Sequence, residues 1–593
     1  MRSVSSCRWF VLGLVLLGCA GCSSAEDASI PLGEPVLEAP TLHCLGAYWV
    51  IRGDENRNAR VELRFRKAGS ADWRLGLPLF RVEKEALRGS RGGTAFAVPS
   101  DAWLFAGSAL LLEPGTAYEL RLNLIDPEGG EAERLLACRT LAEPVRPPDL
   151  TPLYVMPGKG GGSGTAQDPF RGLAAAQARA QPGSLMLLGV GVYEGTFEVT
   201  KSGEPGHPIV WTARGDGEVI LDAQGKAPEV PARAVSASDV HDVWFERLTI
   251  RRAQWGLVAH GSSRVVIRRC RFEAVKNGIT ATRNDGDTLR GLFISDNTLE
   301  GPLNWPRPAN AGDIEEDRGI QVSGVGHVVC YNRVRNFKDA IDTFPSQRCE
   351  AIDFHNNEIS ECVDDGIEMD ESYRNTRCFL NRLTNVFQGI STQPVVGGPV
   401  YIFRNALYNV TVEPFKMHNS PSGALMLHNT CVKSGMPVMV ATSATVRNCV
   451  WRNNLFLGTD AAYAAEFTSP MAGCDFDYDG FARIRSGNLL KWNRVRYATL
   501  EEVQARSPVE KHAVLVRADQ AFASGLQVPG DPAGRADPES VDLRLRPGCE
   551  AVDAGEVLPG LNDGYAGKAP DLGAYELGGD LPHFGPRPEE AAK

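Results

Sequence analysis

Past its first twenty residues the 593-residue chain has no apolar run long enough to span a bilayer, which argues against a helical membrane protein. Of its 14 cysteines, those beyond the N-terminal apolar stretch and the cysteines that end it form no C-x-x-C pair, and its 10 histidines show no helix or hairpin zinc spacing, so zinc-ribbon and thioredoxin-type chemistry have no support. It lacks a basic excess. A formal charge of −11 argues against nucleic acid or a bare anionic membrane as the main partner. It also weighs against a polyanionic substrate, unless a metal ion or local arginines reverse the sign at the site. The glycine-rich run 157–165 lacks the G-K-[ST] ending that cradles phosphate, so it reads as a loop. Helical periodicity is scarce. What remains is 62 glycines and many short β-rich runs, in a chain too long for one compact globule. The expectation is an all-β protein made of several units or a solenoid.

The N-terminus reads as an export signal, with Arg2 and Arg8 around a short basic region and an apolar stretch from Trp9 to Leu17. Leu16-Leu17-Gly18-Cys19, followed by Ala20-Gly21-Cys22, resembles a bacterial lipobox. That resemblance implies lipidation at Cys19 or at Cys22 and membrane contact through the lipid alone. No aspartate follows either cysteine, so the likeness implies an outer-membrane lipoprotein, or a cell-surface or periplasmic protein, of a Gram-negative bacterium. A monomer is expected. Cys44 and Cys138, near opposite ends of one predicted module, could pair in an oxidising compartment.

Residues 20–40 read as a linker, and 41–146 as short alternating strands, clearest at Tyr48–Ile51, Val61–Arg66 and Tyr118–Leu124. Leu112-Glu113-Pro114-Gly115-Thr116-Ala117-Tyr118 resembles the tyrosine corner of fibronectin type III modules, with Tyr118 as the buried corner residue. Such a module spaces or binds rather than catalyses. After the proline-rich link Pro144–Pro148, an amphipathic helix over 169–180, with Leu173, Ala174 and Ala178 on one face, would plug the open end of a solenoid.

The strongest pattern is a repeat. Asn297, Asn332, Asn357, Asn381, Asn405, Asn429 and Asn454 each precede an apolar residue by two, and from Asn332 the intervals are 25, 24, 24, 24 and 25. Glu246 and Cys270 read as earlier members of the same column. Units of this length with such short strands stack as coils of a right-handed parallel β-helix, expected over 152–525 with 526–593 packing on the last coils. The asparagines are then structural, bonding up and down the stack.

A second column locates the chemistry. Gly256, Gly278, Gly319, Ala340, Gly366, Gly389 and Pro414 align, the long step to Gly319 holding an insertion over 300–316. Two positions after each lie Val258, Thr280, Gln321, Asp342, Glu368, Ser391 and Lys416. Only mid-length does this face become charged, where Asp339, Asp342, Asp364, Asp365 and Glu368 crowd two adjacent coils about 5 Å apart. Five carboxylates at that range repel unless a cation sits among them, and hard oxygen ligands suit calcium.

Asp364-Asp365-Gly366-Ile367-Glu368, with Asp339 a coil earlier and Phe415-Lys416 two coils on, resembles the active site of family 9 polysaccharide lyases, calcium-dependent β-helix enzymes. The resemblance implies Asp339, Asp364, Asp365 and Glu368 as calcium ligands, with Glu368 standing where the family has aspartate. It implies Lys416 as the Brønsted base. Asp342, Arg318, Arg374, Arg404, Glu413 and His418 are candidates for substrate contact. Asp542–Gly548 and Pro570–Glu576 resemble stretches of secreted bacterial β-helix proteins.

Three functions are therefore expected to compete. The first is an exported lyase that cleaves a uronate-containing acidic polysaccharide by calcium-assisted β-elimination; a C5-epimerase is its variant. The second is a glycoside hydrolase using paired carboxylates such as Asp342 and Asp365, although Asn-Thr-Asp and Arg-Ile-Lys motifs are lacking. The third is a non-catalytic, glycan-binding surface lipoprotein.

Overall fold

A computed structural model describes residues 28–84, 98–224, 232–283, 288–308, 316–344, 348–442, 444–485 and 487–589. Cys19, Cys22 and the export signal lie outside the described residues. Among the described residues no helix is long and apolar enough to cross a membrane.

The N-terminal unit is an antiparallel β-sandwich of two sheets. Alternation buries Val61, Leu63 and Phe65 from one sheet against Trp49, Ile51 and Phe105 from the other. Tyr118 is buried, and its hydroxyl accepts the backbone N–H of Glu113 at 3.0 Å. The sandwich starts earlier than expected. Ile30–Pro31 and Val36–Leu37 pair with the strand Leu45–Arg52, so part of the presumed linker is sheet. Cys44 and Cys138 do not pair: Cys44 packs with Phe379 and Tyr401 of the next unit, while Cys138 packs in the sandwich.

The rest is a parallel β-helix of about 11 turns. One sheet of 14 strands runs from Phe170–Arg171 and Thr151–Met156 to Asp475–Asp477, and one of 18 runs from Gly191–Glu194 to Val514–Val516. The asparagine column stands as predicted. From Asn297 to Asn429 each Nδ2 donates to the next asparagine's Oδ1 at 2.9–3.0 Å, and each residue is fully buried. Each also donates to a strand carbonyl, as Asn405 does to Cys378 at 3.0 Å, so the corner leaves no amide unsatisfied. Asp479 ends the ladder, accepting both the N–H and the Nδ2 of Asn454. Glu246 is not in this column; its register partners are Thr212 and Arg268, and it pairs with Arg146 and Arg268.

The residue before each ladder position is left-handed: Asp296, Tyr331, Asn356, Leu380, Arg404 and His428 have φ of 53–56°. That bend opens an outward row, and the C-terminal segment covers it. Rather than closing over the last coil, the segment runs back along the stack. Ala574 N–H bonds Thr430 Oγ1 at 2.8 Å, Gly585 N–H bonds Asn356 O at 3.0 Å, and Glu589 pairs with Arg247 at 2.7 Å. Leu543, Leu545 and Leu572 pack on Val432, Leu455 and Leu457, the apolar contact that holds it there.

The ends are closed by short helices. The first spans Leu173–Arg179, shorter than predicted, and it turns Ala176 rather than Ala174 or Ala178 toward the core. Leu500–Arg506, capped by Thr499, buries Val503 at the other end. The two units are clamped mid-length. Arg377, fully buried, pairs with Asp353 at 2.5 Å and donates to Ser108 of the sandwich at 3.1 Å.

Candidate functional site

The functional column is a true register. Val258↔Thr280, Thr280↔Gln321, Gln321↔Asp342, Asp342↔Glu368, Glu368↔Ser391 and Ser391↔Lys416 are successive Cα partners. The small residues beside it are required by packing: a Cβ on Gly389 would lie 2.3 Å from the Pro414 carbonyl oxygen and 2.6 Å from Leu407.

A local irregularity aims the carboxylates. Between Cys362 and Asp365 the pairing slips by one residue, a bulge that lets neighbouring Asp364 and Asp365 face the same cleft. The cleft encloses about 720 Å³. Its lining has seven carboxylates (Glu316, Asp339, Asp364, Asp365, Glu368, Asp370, Glu371) against three cations (Arg318, Lys338, Lys416), so it is strongly acidic.

Asp339, Asp365 and Glu368 each bring one carboxylate oxygen within 4.8 Å of the others. Burial, then the neighbouring carboxylates, hold Asp339 and Glu368 well above the usual carboxylate range. Burial pushes Asp365 up to about 7 against the opposing pull of Lys416. Asp365 Oδ1 and Glu368 Oε2 are buried without a hydrogen-bond partner among the described residues. Orphaned carboxylate oxygens converging from rigid strands, all of them hard donors, fit a divalent cation such as calcium.

Asp364 also faces the cleft, but it is outside this trio. Arg307, from the 300–316 insertion, donates to Asp364 Oδ1 and to the Val363 carbonyl, each at 2.9 Å. Asp342 is held differently. It pairs with Arg318 and accepts from Gln321 Nε2 at 3.0 Å and from the Phe344 N–H. Arg318, itself raised by Asp342 and Asp339 in spite of burial, also meets Glu316 at 2.5 Å.

Lys416 reaches across the intervening coil to Asp365, with Nζ 2.8 Å from Oδ2. The pair is nearly dry, the side chains being 13% and 2% exposed. Burial disfavours the ammonium, but Asp365, then Asp370 and Asp364, outweigh it and raise the lysine above its ordinary value. The lysine's nearest charge is a carboxylate.

Four predicted contacts lie elsewhere. Arg374 is buried between the two units, 2.6 Å from Glu38 and 3.1 Å from Glu350, with its guanidinium over Tyr48. Arg404 occupies the left-handed row under the C-terminal segment and donates to Ala574 O at 3.2 Å. Glu413 and His418 pair with each other at 3.2 Å and do not line the cleft. Conversely, Asp370 lines it and accepts from Ser391 and from the Gln393 N–H, each at 2.7 Å. Its spacing of two from Glu368 was a usable signal; Arg307, in an insertion without a motif, left none.

A family model described as "Right handed beta helix region" matches residues 233–394. The match spans the coils that carry the acidic cluster. The Bacillus subtilis (strain 168) uncharacterized protein YwoF is 28% identical over 172 residues, which is 25% of this chain and 35% of that protein. The chain thus spans about a third of that relative. Among solved structures, XylC with xylose has 11% identity and a TM-score of 0.43, covering 57% of this chain and 85% of that one. An alginate lyase from Paenibacillus sp. str. FPU-7 has 13% identity and a TM-score of 0.28 over 54% and 94%. The catalytic domain of a GH87 alpha-1,3-glucanase in complex with nigerose has 11% identity and 0.25 over 78% and 88%.

Proposed function

We propose that the cleft is the active site of a polysaccharide lyase acting on a uronate-containing glycan. The observation that carries this is the dry Lys416–Asp365 pair set against the partnerless oxygens of Asp365 and Glu368. It joins a potential base to a potential cation seat. Asp339, Asp365 and Glu368 would hold a calcium ion. When bound, such an ion neutralises the sugar carboxylate and favours enolate-like charge beside it. Lys416 is kept protonated through Asp365, so its use as a base requires that carboxylate to be engaged otherwise, as its role of ligand provides. The neutral amine would then take the C5 proton; the C5–H electrons form the C4=C5 bond, and the C4–O bonding pair leaves with the glycosidic oxygen, which takes a proton from water. Arg318 holds Asp342 in place beside this chemistry.

The test is product analysis on polygalacturonate and alginate with calcium added. Unsaturated, ultraviolet-absorbing ends should form, disappear on chelation, and be absent in Lys416→Ala. A panel of uronic glycans giving no such ends would sink the reading. One observation favours a second reading. Asp342, held by three donors, lies in register with Glu368, and burial raises both carboxyls. Two carboxyls on neighbouring rungs are the kind of pair a glycoside hydrolase uses. Saturated reducing ends, unaffected by chelation, would select it. Export and lipidation at Cys19 or Cys22 belong to the same proposal, checked by fatty-acid labelling that Cys19→Ala or Cys22→Ala removes.

A further inference from the structure

The acidic cleft lies partway along a row that continues toward the N-terminal coils. Arg233↔Trp255, Trp255↔Asn277 and Arg318↔Asp339 are register partners. The pairings Ile279↔Ile320 and Ile341↔Ile367 carry the same row from Asn277 to Arg318 and from Asp339 to Asp365. Its character changes along the stack. Asp339 and Asp365 are buried and acidic, Arg318 and Asn277 are partly exposed, Trp255 is half-buried, and Arg233 is exposed. Trp255 belongs to none of the apolar core clusters that take its neighbours Ala253 and Leu257. The Arg233 guanidinium lies 5.7 Å from the centroid of its ring. An indole left out of the core, beside a cation with no carboxylate partner among the described residues, needs an explanation that packing does not supply.

We propose that Trp255 and Arg233 form a distal subsite for a carboxylate-bearing glycan whose chain runs along the β-helix axis into the cleft. This rests on reading the cleft as a glycan site. Trp255 is three rungs from Asp339, roughly 14 Å at the inter-strand spacing, so the subsite engages a chain several sugars long and not a single unit. The indole offers an apolar face for a pyranose ring, and the guanidinium offers planar donors to a uronate carboxylate. Positive charge at this end also counters the repulsion that the cleft's seven carboxylates impose on an acidic polymer.

The experiment measures binding of the full chain to polygalacturonate and alginate, each as polymer and as disaccharide, by calorimetry with calcium present. Xylan serves as the uncharged comparison. Trp255→Ala should weaken polymer binding about tenfold, the scale of one aromatic stacking contact. Trp255→Phe should restore most of it, Arg233→Ala should weaken polyuronate but not xylan, and disaccharide binding should change far less. Circular dichroism melting of each variant separates a lost contact from a lost fold. Equal losses on polymer and disaccharide, no loss at all, or no binding of either polyuronate would overturn the subsite. Xylan binding as tight as polyuronate would overturn its carboxylate preference. Binding that depends on Trp255 without unsaturated product would retain the subsite and overturn the lyase reading. Calcium-dependent product with wild-type polymer binding in Trp255→Ala would do the reverse.

Discussion

On the proposed reading Lys416 and a cation would compete for the same carboxylate, and that competition would have a measurable size. Nζ stands 2.8 Å from Asp365 Oδ2, and the side chains are 13% and 2% exposed. At an effective dielectric of about 20 the attraction is roughly 6 kcal/mol, most of it offset by the cost of drying the two charges. A charge-assisted hydrogen bond nets about 1.5–3 kcal/mol, so its removal should release Asp365 for a cation by that amount. Lys416→Ala and Lys416→Met should therefore bind calcium roughly ten- to a hundredfold more tightly than the wild type while losing turnover. Isothermal titration with calcium, and terbium luminescence as an independent probe, would measure the affinity; absorbance of unsaturated ends would measure turnover. A structural role alone would lower both. Unchanged or weaker calcium binding in both variants would refute competition at Asp365, and retained turnover would remove Lys416 from the chemistry.

Asn405→Ala breaks four hydrogen bonds of a fully buried ladder residue, to Asn381 N–H, Asn381 Nδ2, Asn429 Oδ1 and Cys378 O. It should cost about 3 kcal/mol or more, read as lost hydrogen-exchange protection in the adjoining coils. Arg374→Ala leaves Glu38 and Glu350 buried without their shared cation, so the interface between the units should lose about 3–5 kcal/mol in denaturant unfolding, with no direct effect on catalysis. At the ladder's end burial pushes Asp479 up to about 7, and burial together with Asp479 raises Glu510. A carboxyl held above its unfolded value binds its proton more tightly when folded. Its contribution is thus complete below about pH 4 and lost as pH rises toward 7. Asp479→Asn should flatten that fall in a series of melting temperatures against pH, with the wild type as reference.

Much of the fold was legible because a solenoid repeats its demands. Each coil needs an amide to bond its neighbours at one corner, so Asn332 through Asn454 recur at nearly constant intervals, and the column from Val258 to Lys416 follows by counting. Glu246 shows where counting fails: its coil has no asparagine to anchor the alignment, and the true ladder position there is Leu248, register partner to Cys270 through the adjacent pair Thr249↔Arg271. The site was legible to the same depth. Local sequence determined which carboxylates share two coils and that Lys416 lies on their face. Tertiary structure alone decided how they are used. The bulge at Asp364 turns two neighbouring aspartates into one cleft, and Arg307 arrives from an insertion with no pattern to align. Arg374 and Arg404 are drawn away because a second unit and a returning C-terminal segment cover their rows. Those contacts join residues more than a hundred positions apart, between surfaces that do not repeat, so nothing in the periodicity records them.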